Sequence, residues 1–201
     1  MATLSVPGRS GSVAAFAAAV ILVGLIVSLA GGTMPEPGLL DALSVGTAAG
    51  AMVVMVLAYA GVAASAWAQA GRALAVSGLT LVLAGDALQA VATRATSDSA
   101  LLWSISFAIR DGIGNGLFYA SLLILGVLVW PQHRWIAGLA VVNGALGYLA
   151  MAIADRLGLP PHLNFVVLVV WLVLLGVVWW RSAADDAVDR RSVVRPGAAV
   201  A

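Results

Sequence analysis

Hydrophobic residues occur in six long runs separated by short polar segments, and this pattern predicts the fold class. The runs cover residues 13–32, 44–68, 74–93, 100–129, 135–154 and 162–180. A helix of about 20 apolar residues spans the roughly 30 Å hydrocarbon core of a membrane. Because the connections are short, successive helices are expected to be antiparallel. The pattern therefore predicts an all-α, polytopic membrane protein, with residues 1–180 forming one compact bundle of six transmembrane helices.

The composition excludes several classes of function. Residues are 62% hydrophobic and 9% charged, whereas soluble domains carry about 25% charged residues. So few charged residues could not cover a water-facing surface, and the lipid bilayer is the expected surrounding. The formal net charge of +1 gives no basis for binding nucleic acid. The chain has no cysteine and no lysine, which excludes disulfides, thiolate metal sites and Schiff-base cofactors. We predict no cofactor and no metal site.

The arginines predict the orientation. With six spans both termini lie on one side, and the opposite side carries only Arg94 and Arg156. The positive-inside rule then places both termini in the cytoplasm. A bias toward Ala, Gly, Val and Arg is typical of bacteria, which predicts the inner membrane. Residues 181–201 lack apolar periodicity and are predicted to be a flexible cytoplasmic tail. The arginines on the side of the termini are Arg9, Arg72, Arg134, Arg181, Arg190, Arg191 and Arg195.

An aspartate lies near the middle of the third predicted helix. Asp86 is followed by Gln89 three residues later, so the two side chains share a face. A carboxylate in hydrocarbon is costly, so an acid within a span is a functional-site hypothesis by default. A neutral amide would join helices at a lower desolvation cost. Asp86 is therefore a candidate catalytic residue, with Gln89 as its partner.

A second acid, Asp111, lies in the fourth predicted helix and shares a face with Asn115. Arg110 precedes it and projects about 100° away in an α-helix. Arg110 is therefore expected to reach Asp86 or the outer interface rather than to stack over Asp111. Antiparallel packing of neighbouring helices would bring both acids, Arg110 and Asn115 into one cavity, with Asp111 as the second catalytic candidate.

Small residues and aromatic residues complete the prediction. Gly112 and Gly116 form a small-xxx-small pair that favours close approach of another helix; the alternative is a flexible or partly unwound segment next to Asp111. Glycine-rich helix faces of this kind also allow a homo-oligomer. In the fifth predicted helix, Asn143 is a candidate partner of the charged groups. The predicted substrate pocket consists of Phe107, Phe118, Tyr59, Tyr148 and Trp171.

A buried acid without full pairing favours its protonated form, and such a group suits two tasks. It can donate a proton to an alkene or an epoxide, which gives a carbocation that a dry, aromatic-lined cavity stabilises. It can also carry a proton across the membrane together with a substrate. A diphosphate substrate is disfavoured, because the helices contain no DxxxD cluster.

The segments LAGDALQ and AIRDGIGNG, with the size of the chain, resemble the small integral-membrane terpene cyclases of bacteria and fungi. That resemblance implies proton-initiated cyclisation or isomerisation of an isoprenoid or other apolar lipid, with Asp86 or Asp111 as the proton donor. Fungal members pair a glutamate with an aspartate, whereas the acidic residues of the predicted spans here are all aspartates. Residues 108–149 also resemble a bacterial family of six-helix membrane proteins, which implies a fold without an activity.

Two other functions are compatible with the same residues. The chain would be a proton-coupled transporter or channel if polar groups led from the acids to both faces of the membrane. It would be a structural or accessory subunit if the contact between Arg110 and an aspartate only held helices together. The sequence leaves these alternatives open.

Overall fold

The computed structural model describes residues 8–30, 37–95, 98–157 and 163–193 of the chain. The regular elements in these ranges are all helical, which confirms the predicted all-α class. They are α1 (Gly8–Ala30), α2 (Pro37–Ala60), α3 (Ala66–Ala92), α4 (Ser99–Phe107), a π-helix (Ala108–Gly114), α5 (Asn115–Val129), α6 (Arg134–Leu157) and α7 (Leu163–Val193).

Six segments of the described chain are long and apolar enough to cross a membrane, as predicted. Five of them lie within α1, α2, α3, α6 and α7. The fourth span, Ser99–Val129, joins α4, the π-helix and α5 into one continuous helical segment. Membrane insertion and the side of the termini remain predictions.

The second and third helices begin earlier than predicted. Helix α2 is Pro37–Ala60 rather than 44–68, and α3 begins at Ala66 rather than at residue 74. Proline is favoured at the first position of a helix, where its missing N–H is not needed. Ser65 ends the connection, because its hydroxyl accepts a hydrogen bond from the Ala68 N–H at 3.1 Å and caps α3. Alanines on both sides of this turn continue the apolar pattern of the sequence, so the pattern shows no break between the two helices.

The chain after residue 180 also differs from the prediction. Helix α7 continues to Val193, so residues 181–193 are helical and not a flexible tail. The physical reason is the sequence SAADDAVDRRSV, whose alanines and arginines favour a helix that has already begun in the apolar span. Other predicted features, namely residues 31–32 of the first run, residue 162 of the last run and residues 194–201 of the tail, lie outside the described residues.

The six spans form a closed ring. Each span packs against its neighbours in sequence, and α1 closes the ring against α7. The packing of α1 on α2 is antiparallel, since Gly24 faces Leu43 and Gly50 faces Ala18. A ring of antiparallel helices places the ends of alternate spans at the same level, so residues far apart in sequence meet at its centre.

Along the helix axes, the centre of the ring is filled toward one end of the bundle and open toward the other, and we call these two ends its halves. The filled part, which we call the packed half, contains the fully buried side chains of Leu22, Met55, Leu122 and Trp171. Tyr59 belongs to it, and its hydroxyl donates to the Ser121 carbonyl at 2.5 Å. The open part, which we call the cavity half, is formed by residues 25–30, 37–51, 79–92, 99–119, 147–152 and 164–168.

Candidate functional site

Helix α3 crosses the π-helix at two glycines. A Cβ atom on Gly78 would lie 2.7 Å from the Gly114 carbonyl oxygen, and one on Gly85 would lie 2.5 Å from the Arg110 Cβ. Only glycine fits at such a crossing. The predicted close approach at Gly112 and Gly116 is wrong. A Cβ on Gly112 would meet nothing within 4 Å, and a Cβ on Gly116 would meet only Met151, at 3.9 Å. Gly114 lies two residues from each of them and is the glycine that faces α3, since a Cβ on it would lie 3.0 Å from the Gly78 carbonyl oxygen.

This crossing places Arg110 against the acid of α3. Asp86 is 5% exposed and accepts hydrogen bonds from the Ser44 hydroxyl at 2.8 Å and from Arg110 Nη1 at 3.3 Å. The same Nη1 donates to the Gln89 side-chain oxygen. Three spans therefore meet at Asp86, and the predicted association of Asp86, Gln89 and Arg110 in one place is present in the structure.

Arg110 also pairs with the acid next to it in sequence, contrary to the expectation that it could not stack over Asp111. Its Nε donates to Asp111 Oδ1 at 3.1 Å and its Nη2 to Asp111 Oδ2 at 2.8 Å. The expectation assumed an α-helix, whereas these residues lie in the wider turn of a π-helix. The Asn115 amide donates to Asp111 Oδ1 at 3.1 Å, so one guanidinium and one amide hold this carboxylate.

An aromatic face completes the environment of the guanidinium. The Arg110 guanidinium carbon lies 5.2 Å from the centre of the Phe107 ring, which stacks on Trp103 with centroids 5.9 Å apart. A cation at that distance from a ring is attracted by the ring's negative face. Arg110 is thus fixed by two carboxylates, one amide oxygen and one ring.

The charged groups lie in the wall of a cavity of about 470 Å³ to which every span contributes. Cavities of roughly 300–1,000 Å³ hold small-molecule ligands in proteins. Most of the wall is apolar, and it includes Phe107 and Phe118, two of the five residues predicted to form a substrate pocket. Its polar and aromatic members are Asp41, Ser44, Thr47, Asp86, Gln89, Phe107, Arg110, Asp111, Asn115, Phe118, Tyr119, Asn164 and Phe165.

A second polar group lies in the cavity wall, away from the charged cluster in sequence. The Asn164 amide nitrogen donates to the Tyr119 hydroxyl at 2.7 Å. Asn164 is 4% exposed, and its Oδ1 has no hydrogen-bond partner among the described residues. Buried polar atoms are nearly always hydrogen-bonded, so an orphaned amide oxygen in a cavity wall needs an explanation.

Four of the predicted site residues are not among the cavity-lining residues. Tyr59 is in the packed half, as described above, and Trp171 lies one turn beyond the cavity residue Leu168, with 1% exposure. Asn143 is fully buried, and neither amide atom has a partner among the described residues. Tyr148 is 39% exposed, and its hydroxyl donates to the Gly116 carbonyl at 2.6 Å.

Several cavity residues were not predicted. The second helix was predicted to begin at residue 44, so Asp41 lay outside it and Ser44 was its first residue. Pro37 indicates the earlier start that the structure has. Tyr119 and Asn164 belong to different spans, and their contact depends on how the helices are rotated. Within the described chain, no group of three or more His, Cys, Asp or Glu side chains is placed to hold a metal ion.

Comparisons of the chain with models of known protein families, with curated proteins and with solved structures find no match. The resemblance to terpene cyclases therefore remains a prediction.

Proposed function

We propose that the chain is a membrane-embedded acid–base enzyme that cyclises or isomerises an apolar isoprenoid or lipid substrate. The observation that carries this proposal is that two carboxylates share one guanidinium in the wall of an apolar cavity. Fully ionised, Asp86, Arg110 and Asp111 carry one unbalanced negative charge in a region of low dielectric. One added proton neutralises the group.

The hydrogen bonds favour Asp86 as the residue that holds the proton. Arg110 gives Asp111 two N–H groups and Asp86 one, and the single contact is longer. Bidentate pairing stabilises the ionised form of a carboxylate most. The Asp86 side chain is also 4% exposed, against 38% for Asp111, so its charge is the more costly to desolvate.

The reaction follows from these roles. The Asp86 carboxyl group transfers its proton to a carbon–carbon double bond or to an epoxide oxygen, which leaves a carboxylate and a carbocation. The faces of Phe107 and Phe118 stabilise the cation, and ring closure or migration follows. Asp111 then accepts a proton from the neighbouring carbon, which gives an alkene, and the proton returns to Asp86 for the next turnover. Arg110, Asn115 and Gln89 orient the two acids.

The proposal is tested in D₂O with membranes that contain the full chain and a panel of prenylated aromatic and lipid substrates. Mass spectrometry is expected to find deuterium in isomeric products, because the transferred proton exchanges with solvent. Asp86→Asn is expected to abolish incorporation. Asp98→Asn, the same change at an exposed residue outside the cavity, is expected to preserve it. Incorporation that survives Asp86→Asn contradicts the assignment of Asp86.

A second candidate, a proton-coupled transporter, is favoured by the one-sided cavity. The open space lies in the cavity half, and the packed half closes the centre with Leu22, Met55 and Leu122. A transporter with access from one side has this form. Proton flux in liposomes that depends on substrate and disappears with Asp86→Asn would support transport. Flux unchanged by that substitution would exclude a transporter that uses this acid.

We propose the bacterial inner membrane as the location, with both termini in the cytoplasm. The support is the arginine-rich side of the sequence, which the positive-inside rule places there. With that orientation the cavity half lies in the outer leaflet. Gly112 is exposed and a Cβ on it would meet nothing within 4 Å, so its face is free to pack against a second copy in a homo-oligomer, and crosslinking at Gly112→Cys tests that assembly.

A further inference from the structure

The cavity contains more negative charge than its one cation balances. Three of its lining residues are aspartates, namely Asp41, Asp86 and Asp111, and Arg110 is the only cationic residue among the described lining residues. Arg110 is bound to Asp86 and Asp111. Asp41 has no hydrogen bond or ion pair within the described ranges, so its charge is not met by a neighbouring side chain.

The rest of the wall suits the body of an organic cation. Phe118, Tyr119 and Phe165 add aromatic faces to the apolar lining. Aromatic faces attract cations, and apolar walls attract hydrocarbon, whereas an anion would be repelled by the acids. The charge and the surface of the cavity therefore select the same class of ligand.

Asn164 adds an independent observation that points to a hydrogen-bond donor on the ligand. It is 4% exposed and lies in the cavity wall, and its Oδ1 has no partner among the described residues. An unmade hydrogen bond of a buried polar group costs about 1–3 kcal/mol. A ligand with an N–H group would supply the missing partner, whereas a quaternary ammonium would not.

We propose that the cavity binds an amphipathic organic cation with a protonated amine and an apolar aromatic or aliphatic body. The ammonium group is balanced by Asp41, and one of its N–H groups donates a hydrogen bond to Asn164 Oδ1. The inference concerns binding and is independent of catalysis. If deuterium incorporation fails while amine binding is present, the proposed enzyme is removed and this site stands; the reverse result removes the site alone.

The test uses the full chain in nanodiscs of phosphatidylcholine, with empty nanodiscs as the blank, and calorimetry with four ligands that share one ring system. They are 1-naphthylmethylamine, its trimethylammonium analogue, 1-naphthalenemethanol and 1-naphthoate. The amine is expected to bind at least about tenfold more tightly than the alcohol, which is about 1.4 kcal/mol. The trimethylammonium compound is expected to lie between them, and naphthoate is expected to give no binding.

Two substitutions assign the contacts. Asp41→Asn is expected to remove the preference for the amine over the alcohol, while Asp98→Asn, outside the cavity, preserves it. Asn164→Leu is expected to remove the preference for the amine over its trimethylammonium analogue. Retained binding of the alcohol shows that each variant is folded. Equal binding of amine and alcohol by the unsubstituted chain, or equal effects of Asp41→Asn and Asp98→Asn, would overturn the proposal.

Discussion

The two halves of the ring are built from the same six spans and pack in different ways. In the packed half, large side chains fill the centre, and the Phe16 ring packs directly against Gly176. In the cavity half the centre holds a cavity of about 470 Å³, and at its edge α3 and the π-helix meet backbone to backbone at Gly78 and Gly114.

The difference shows how an apolar bundle accommodates charge. Close contact between two helix backbones brings Arg110 within reach of Asp86, and the ion pairs form beside the open space. The packed half reaches its stability through burial of apolar surface, for which it needs no charge. Substitutions that are chemically alike should therefore differ in effect according to the contacts that each residue makes, and the expected effects below run from the largest to the smallest.

Replacing Arg110 with glutamine should have the largest effect. It leaves Asp86 and Asp111 without a cation, and the loss of one partner of a buried pair costs about 3–5 kcal/mol. The free energy of unfolding, measured by denaturing titration in mixed micelles, should fall by that order. Arg94→Gln, at an exposed position, is the control and should change little. Adding Asp86→Asn to Arg110→Gln should recover part of the loss; no recovery would show that the two residues are not coupled.

Gly85→Val should be the next most severe change. Its Cβ would lie 2.5 Å from the Arg110 Cβ, so the helices must separate, at a cost of about 1–3 kcal/mol. Gly112→Val is the same substitution in the partner segment, where the added Cβ meets nothing within 4 Å. The difference between the melting temperatures of the two variants measures the crossing alone. Equal melting temperatures would mean that α3 and the π-helix do not approach each other at Gly85.

Ser44→Ala should cost about 1–2 kcal/mol, because the buried Asp86 loses a hydrogen bond donor. Ser104→Ala serves as the matched control, since the Ser104 hydroxyl is exposed and donates to the Ala100 carbonyl of its own helix. That variant should remain within about 0.5 kcal/mol of the unsubstituted chain. A loss of the same size in both variants would exclude a specific role for Ser44 at Asp86.

The smallest effect is expected from Asn143→Ala in the packed half. The Asn143 amide is fully buried with no partner in the described chain, so its removal should change the unfolding free energy by less than about 1 kcal/mol. Asn164→Ala removes the hydrogen bond to Tyr119 and should cost more, about 1–2 kcal/mol. A larger loss for Asn143 than for Asn164 would show that Asn143 has a partner of its own.

The sequence predicts the number of long apolar helices and which polar side chains share a helix face. The length and apolarity of the runs predict six helices without tertiary information, because lipid imposes one solution on the backbone. The spacing of Asp86 and Gln89, and of Asp111 and Asn115, places each pair on one face, and antiparallel neighbours then bring them to Arg110. The catalytic role of these residues remains a prediction.

The remainder of the cavity depends on features without a local signal. No residue type marks Ala108–Gly114 as a π-helix, so the pairing of Arg110 with its neighbour Asp111 was not foreseen. The contact of Tyr119 with Asn164 depends on the rotation of two helices about their axes. Tyr59 and Trp171 are aromatic residues of the right kind on faces that the packed half uses. Composition identifies candidates, and helix rotation decides among them.

The pairing of Arg110 with Asp111 within one span also bears on how the protein is made. A membrane segment enters the bilayer before its later neighbours have been synthesised, and each lone charge at its centre opposes that step by about 2.5–3.5 kcal/mol. Here the guanidinium and the carboxylate belong to the same helical segment, so they would neutralise each other if that segment enters a bilayer as predicted. The fourth span would then carry its own counter-charge, and Asp86 of the span before it would acquire a partner when the fourth arrives.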